Sequence, residues 1–237
     1  MEKSVPLTVR EFFDTAKSLK YDRDIRASLP GYEALHGMVN ALLSEALDAD
    51  AHLLVAGAGT GMELLLMGTL HPRWRFTACD PSPEMLAVCR ERVSEREMED
   101  RVTFIGGTID RVPSEARFDA ATSILVSHFI LSEPERLDFF GGIARRLVAG
   151  APLVTADLFG EKGTDRFTCL QGAWERFNLM NGRDPGELRA GRERSDQVVL
   201  YLPERRYGEL LAEAGFTGVS RFYQALLFGG WICRRNS

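Results

Sequence analysis

HLLVAGAGTGMELLL, residues 52–66, runs from an apolar strand through three glycines into an apolar helix. Strand, glycine-rich turn and helix in that order expose backbone N–H groups at a helix N-terminus. Glycine belongs where a Cβ would block a ligand or where φ is positive. The glycines stand at 57, 59 and 61, with Met62 where the dinucleotide fingerprint GxGxxG wants its last glycine. A loop of this spacing can hold a carboxylate and an alkyl chain as well as a pyrophosphate. The next strand, in RFTACDPSPEML, residues 75–86, ends in Asp80, nineteen residues past Gly61. An acid there is placed to accept from both hydroxyls of a ribose. Each feature alone is commonly a plain turn; together, at strand ends, they predict an adenosyl ligand that ends in an amino acid.

Outward from this loop the apolar period alternates between strand and helix, which predicts a βαβ series. A helix over Met38–Leu47 precedes the strand His52–Ala56, and another runs from Gly61 to Leu70. After the strand Arg75–Cys79, Ser82 is an N-cap and Pro83 the first position of a helix to Met98. Strands over Val102–Ile105 and Phe118–Val126, a helix over Pro134–Leu147 and the strand LVTADL follow. Residues 159–198 break the rhythm with an amphipathic helix, CLQGAWERFNLM, and the turn-rich NGRDPGELRAGRERSD, and read as a lid or dimer insert. The helix Pro203–Ala214 stops at Gly215, and the runs GVSRFYQAL and FGGWICRR are joined too tightly for a crossover, so they pair antiparallel. The expected division is an N-terminal helical cap, 1–50, a ligand-binding core, 51–158, the insert, 159–198, and a closing helix and hairpin, 199–237.

Of the 237 residues 45% are hydrophobic and 27% charged, which describes a folded chain rather than a disordered one. The net charge of −5 excludes a global basic field. The local patch Arg189, Arg192 and Arg194 is interleaved with Glu187, Glu193 and Asp196, so no direct nucleic-acid partner is expected. Cys79, Cys89, Cys169 and Cys233 have no metal-ligand spacing; they predict no metal site and reduced thiols in a cytoplasmic protein. The N-terminus lacks a signal peptide's apolar stretch, and no run approaches the roughly 20 apolar residues that span a membrane.

LLVAGAGTGMELL with FTACDPSPEMLAVCRERV resembles the first two motifs of class I S-adenosylmethionine (SAM) dependent methyltransferases. The resemblance, from about Gly31 to Arg234, implies an α/β, Rossmann-like seven-stranded, mostly parallel sheet with an antiparallel C-terminal hairpin and helices on both faces. It implies that Gly57, Ala58, Gly59 and Gly61 line the methionine moiety and that Asp80 holds the ribose. Pro81, Ser82 and Met85 would flank the adenosine. Thr108 and Ile109 fall where the family usually has an Asp-Ala pair beside adenine, and Ser123 and Ile124 fall near the sulfur. Two departures stand out: Ala56, where an acid commonly precedes the glycines, and Thr108 in place of the adenine-side acid. Each removes an acceptor worth about 1 kcal/mol.

A narrower likeness, through LPGYEALHGMVNALL, FILSEPERLDFFGGIARRLVAG and AGFTGVSRFYQALLFGGW, is to the carboxy-SAM synthase group and its methyltransferase relatives. There an arginine before the penultimate helix contacts the cofactor's added carboxylate. The likeness implies that Arg192 takes this role and that the chain pairs as a homodimer; Tyr32 is a second substrate-side candidate on its own chemistry. The glycine loop reads more like a general methyltransferase. Methyl transfer from SAM to a small molecule, leaving S-adenosyl-L-homocysteine, therefore stands ahead of carboxy-SAM synthesis and of non-catalytic SAM binding.

Methyl transfer needs no acid for its leaving sulfide, so positioning in a dry pocket is the main task. A protonated acceptor also needs a base. His128, just past the fourth strand, is the first candidate and His36 a weaker one; His52 and His71 read as surface residues. Tyr32, Trp174, Phe177, Tyr201 and Tyr223 are candidates for an acceptor pocket.

Overall fold

The computed structural model describes residues 15–237, leaving aside the side chains of 15–19 and 193–196. The first fourteen residues of the expected cap therefore lie outside the described residues. Five short apolar runs form parallel strands: β1 His52–Ala56, β2 Arg75–Asp80, β3 Val102–Gly106, β4 Ala120–Ile124 and β5 Pro152–Leu158. With β6 Phe216–Ala225 and β7 Phe228–Arg235 they make one seven-stranded sheet, ordered β3-β2-β1-β4-β5-β7-β6. Only β7 runs against the rest, bonded to β5 on one side and β6 on the other. The link of Leu226 and Leu227 is too short for anything but a hairpin. The sheet and its closing hairpin have the fold class expected from the sequence.

Along β1 the side chains alternate between two cores. Leu53 and Val55 join the core under α1 Thr15–Ser28, α2 Tyr32–Ala46, α3 Met62–Leu70 and α4 Pro83–Ser94. Leu54 and Ala56 join the core under α5 Glu133–Ala144 and α8 Glu204–Glu213. Strands covered on both faces read as continuous apolar runs, which is why they are visible in the sequence. The insert adds α6 Asp165–Met180 and α7 Pro185–Val198. Trp174 ties α6 down by donating its indole N–H to the Ser28 carbonyl at 2.8 Å and standing edge-on to Phe228.

Several boundaries differ from the sequence reading. The strand expected over Phe118–Val126 is Ala120–Ile124, and the helix expected over Pro134–Leu147 is Glu133–Ala144; three further differences have a clear local cause. The stretch expected as turns after Asn181 is largely helix α7. Asp184 Oδ1 accepts the Glu187 N–H at 2.8 Å, and Pro185 at the first position has no N–H to satisfy. That start offsets Gly186 and Gly191, each costing about 1 kcal/mol in a helix. α4 ends at Ser94 rather than Met98, because Glu97 turns to φ 53° and the Met98 N–H returns to Val93 O. α2 starts at Tyr32 rather than Met38, directly after Gly31 at φ 75°.

From β1 the chain moves outward to β2 and β3, then returns to β4 on the other side of β1. Strand order reverses between β1 and β4, and a crevice opens at their carboxyl ends. No helix among the described residues is long and apolar enough to cross a membrane.

Candidate active site

A cavity of about 230 Å³ fills that crevice. The loop after β1 contributes Gly57, Ala58 and Gly59, and the end of β2 contributes Asp80, Pro81 and Ser82. Met85, Thr108, Ile109, Ile124, Tyr32 and His36 complete the predicted residues that line it. Gly59 sits at φ 52°, and a Cβ added there would meet nothing within 4 Å, so its bare face is room for a ligand. Gly61 does not line the cavity. It sits at φ 84°, and its Cβ would come 2.5 Å from Cys89 Sγ; it is needed for the turn and for seating α3 on α4. Ser123 is also out of place: fully buried, it faces away from the cavity that its strand neighbour Ile124 lines.

The loop does not bare its amides as expected. Gly57 and Ala58 N–H both donate to Cys79 O, Gly61 N–H donates to Ala58 O, and Gly59 N–H donates to Asp80 Oδ2 at 2.8 Å. Asp80 Oδ1 accepts the Ser82 N–H, also at 2.8 Å. Burial pushes the Asp80 pKa up to about 6, against the bonds from Ser82 and Gly59, which favour the ionised form. Both oxygens are pinned and keep a second lone pair for a ligand. Ser82 caps α4, accepting the Met85 N–H at 3.2 Å. The acceptor missing at Thr108 is restored nearby: Asp110 lines the same cavity and accepts the Thr108 hydroxyl at 3.1 Å.

Glu63, Asp80, Asp110, Glu135 and Asp138 line this cavity, and among the described residues no lysine or arginine does. With the loop amides already bonded, a pyrophosphate finds no counter-charge here. A cation does. The open face of Gly59, the pinned carboxylate of Asp80 and this acidic lining fit SAM, whose sulfonium and ammonium are both positive.

A second cavity of about 430 Å³ adjoins the first, the two sharing Tyr21, Leu125 and Phe129 as a wall. Leu125 has φ 61°, a left-handed backbone in a non-glycine residue that costs on the order of 1–3 kcal/mol. Of the aromatic candidates, Trp174 and Tyr201 line this second cavity and Tyr32 the first; Phe177 and Tyr223 line neither. Tyr223 instead donates its hydroxyl to Pro30 O. Arg192 lines the second cavity, paired with Glu175 and donating to Gln171 Oε1 at 3.2 Å.

His128 lines the second cavity as well. Its Nδ1 lies 2.8 Å from Asp157 Oδ1, which also accepts the His128 backbone N–H at 3.0 Å. Asp157 Oδ2 accepts from Ser127 Oγ at 2.7 Å and Tyr207 Oη at 2.6 Å. Burial alone would raise the Asp157 pKa. The bond and charge of His128, the charge of Arg136 and the Tyr207 bond bring it below the ordinary value. An ionised Asp157 keeps the ring proton on Nδ1 and leaves Nε2 as an acceptor. His36 lines the first cavity, and burial lowers its pKa to about 4, so it is neutral. His52 and His71 are partly covered: one bonds Thr77, the other stacks on Trp74.

Asp157→Ala leaves His128, Ser127 and Tyr207 without their shared acceptor. We expect it to lower the unfolding free energy by about 3–5 kcal/mol, read by urea denaturation. Because its folded pKa is depressed, the contribution of Asp157 is present above the ordinary carboxylate value near 4 and is lost as pH falls through the folded value. The wild-type stability advantage over the variant should therefore shrink in acid; a constant advantage down to pH 2 would count against an ionised Asp157.

The methyltransferase-domain profile matches residues 53–150. That stretch, from β1 to the turn before β5, is similar to a methyltransferase domain. The chain is 28% identical over 218 residues to carboxy-S-adenosyl-L-methionine synthase of Chromohalobacter salexigens, a match covering 90% of this chain and 79% of that one. In fold it is similar to an O-methyltransferase family protein from Burkholderia thailandensis, with TM-score 0.61 and 16% identity over 96% of this chain and 60% of that one. Human N-acetylserotonin methyltransferase, solved in complex with SAM, gives TM-score 0.58 and 14% identity over 94% of this chain and 57% of that one. The chain thus spans little more than half the length of those two structures. At such identities they speak to the fold alone.

Sequence reasoning reached His128 but missed Asp157, Tyr207, Leu125 and Glu63. Asp157 left a signal as the lone acid in the apolar run LVTADL, and Glu63 left one in MELLL. Neither Tyr207 nor Leu125 differs in pattern from an ordinary core residue.

Proposed function

We propose that this chain transfers a methyl group in line from SAM to a hydroxyl or amine of a small molecule seated in the second cavity. The observation that carries the reading is the place of His128: it lines the second cavity, its ring 4.2 Å from that of Phe129 in the shared wall, with Nδ1 held by Asp157. Bound SAM supplies an activated methyl group on a cationic sulfur. Asp80 accepts from the ribose hydroxyls, and the carboxylates around the cavity stabilise the positive charge. His128 Nε2 takes the proton of the acceptor, and Asp157 stabilises the imidazolium that results. Helices α1, α6 and α7 wall the second cavity around the acceptor.

The test is direct. The purified chain is incubated with SAM and a panel of phenols, carboxylic acids and amines, and S-adenosyl-L-homocysteine is followed by mass spectrometry. Turnover with a hydroxyl or amine supports the reading. SAM binding without turnover on any acceptor favours a binding protein, and no SAM binding removes the reading altogether.

A second reading, a cofactor carrying an added carboxylate, is favoured by the name of the Chromohalobacter relative and by Arg192 on the second cavity. A guanidinium can grip a carboxylate at two points, once it is released from Glu175. Under this reading Arg192→Ala abolishes binding of carboxy-SAM and leaves SAM binding nearly unchanged in calorimetry. Equal losses for the two ligands would sink the selective role.

A further inference from the structure

We propose that Glu63 and His36 together bind the α-ammonium group of the cofactor, taking over the acceptor that Ala56 lacks. The inference rests on the SAM reading above and adds to it the end of the ligand that Asp80 does not reach. Glu63 stands in the first turn of α3, directly after the glycine loop, and is 6% exposed. Its Oε1 lines up with no hydrogen-bond partner, although the residue borders the cavity. His36 approaches from α2, is 3% exposed, and has both ring nitrogens unpartnered while bordering the same cavity. A buried polar atom without a partner costs about 1–3 kcal/mol, so native folds rarely leave two residues this way on one cavity.

The missing partner has a definite chemistry. A carboxylate and a neutral imidazole offer acceptors, and an ammonium offers three donors. Among the described residues no lysine or arginine borders the cavity, so the cation has to arrive with the ligand. The groups whose charges act on Glu63 are acidic or neutral, and the cations near them are paired, Arg26 with Glu33 and Arg92 with Asp22. Tyr21 and Asp22 face it from α1, Tyr32 from α2, Asp80 from the end of β2 and Cys89 from α4. Asp22 is already committed to the Thr60 hydroxyl and to Arg92.

Burial first, then the charges of Asp80 and Asp22, raise the Glu63 pKa to about 8. Without ligand the side chain is therefore mostly protonated at pH 7. An ammonium ionises it, so binding expels a proton. The sign for stability is the reverse of the usual carboxylate: the raised value leaves the ligand-free fold unpenalised below about pH 4.5, and stability is lost as pH rises through 8.

Calorimetry with two probes tests this. S-adenosyl-L-homocysteine carries the ammonium, whereas 5′-methylthioadenosine keeps the adenosine and the sulfur without it. Glu63→Gln is expected to weaken S-adenosyl-L-homocysteine by about 10- to 100-fold and to leave methylthioadenosine within about twofold. Titrations in two buffers of different ionisation enthalpy should show wild type releasing a proton at pH 7 and the variant releasing none. Equal changes for both probes, or wild-type binding without proton release, overturn the proposal. The proton count needs only wild type, so it decides even if the variant folds poorly. If wild type binds neither probe, the SAM reading itself falls and this one with it.

Discussion

His128→Ala is expected to lower kcat for a hydroxyl acceptor by about 100- to 10,000-fold while leaving cofactor affinity within about twofold. The residue lines the second cavity and not the first, so its loss should be felt in the acceptor's chemistry alone. Asp157→Asn provides the companion result. An amide accepts from Nδ1–H less well and can donate to the ring instead, which favours the wrong tautomer. Its kcat should fall by a similar factor, with a pH–rate profile that loses its limb for the base. A plain structural role would lower the stability of either variant without changing the shape of that profile. An unchanged kcat in His128→Ala would leave positioning as the whole of the catalysis.

Asp80→Ala should weaken S-adenosyl-L-homocysteine by about 1,000-fold or more. Two charge-assisted bonds to the ribose account for most of this, at about 1.5–3 kcal/mol each. The rest comes from the loop: with Asp80 gone, the N–H groups of Gly59 and Ser82 lose the acceptors that fix the glycine turn and the start of α4. Calorimetry with adenosine alone should show a loss of the same order, because adenosine shares the ribose. Retention of binding within tenfold would mean that the ribose lies elsewhere in the crevice.

The architecture was legible because local chemistry and burial agree. β1 and β5 are buried within the sheet, so their residues read as largely apolar runs, broken in β5 by Thr155 and Asp157, and Ser82 with Pro83 announces α4. α7 was hidden by its own glycines; one cap at Asp184 outweighed them. The first cavity was legible as far as its residues are near in sequence to the glycine loop and to Asp80. Ser123 went wrong by a single step of strand alternation. The pairing of His128 with Asp157 spans 29 residues and joins the ends of two neighbouring strands. No spacing rule announces such a contact; it exists only once β4 and β5 are side by side. The orphaned acceptors of Glu63 and His36 are invisible for the same reason, since absence of a partner is a property of three-dimensional surroundings.

The internal bonds of the glycine loop have a thermodynamic consequence. Gly57, Ala58, Gly59 and Gly61 have all placed their amides before any ligand arrives. The segment is therefore preorganised, and association need not freeze it. The ordering entropy of binding falls on the ligand's own rotatable chain. A rigid adenosine end should then dock against a finished surface, and the flexible amino-acid end should settle afterwards.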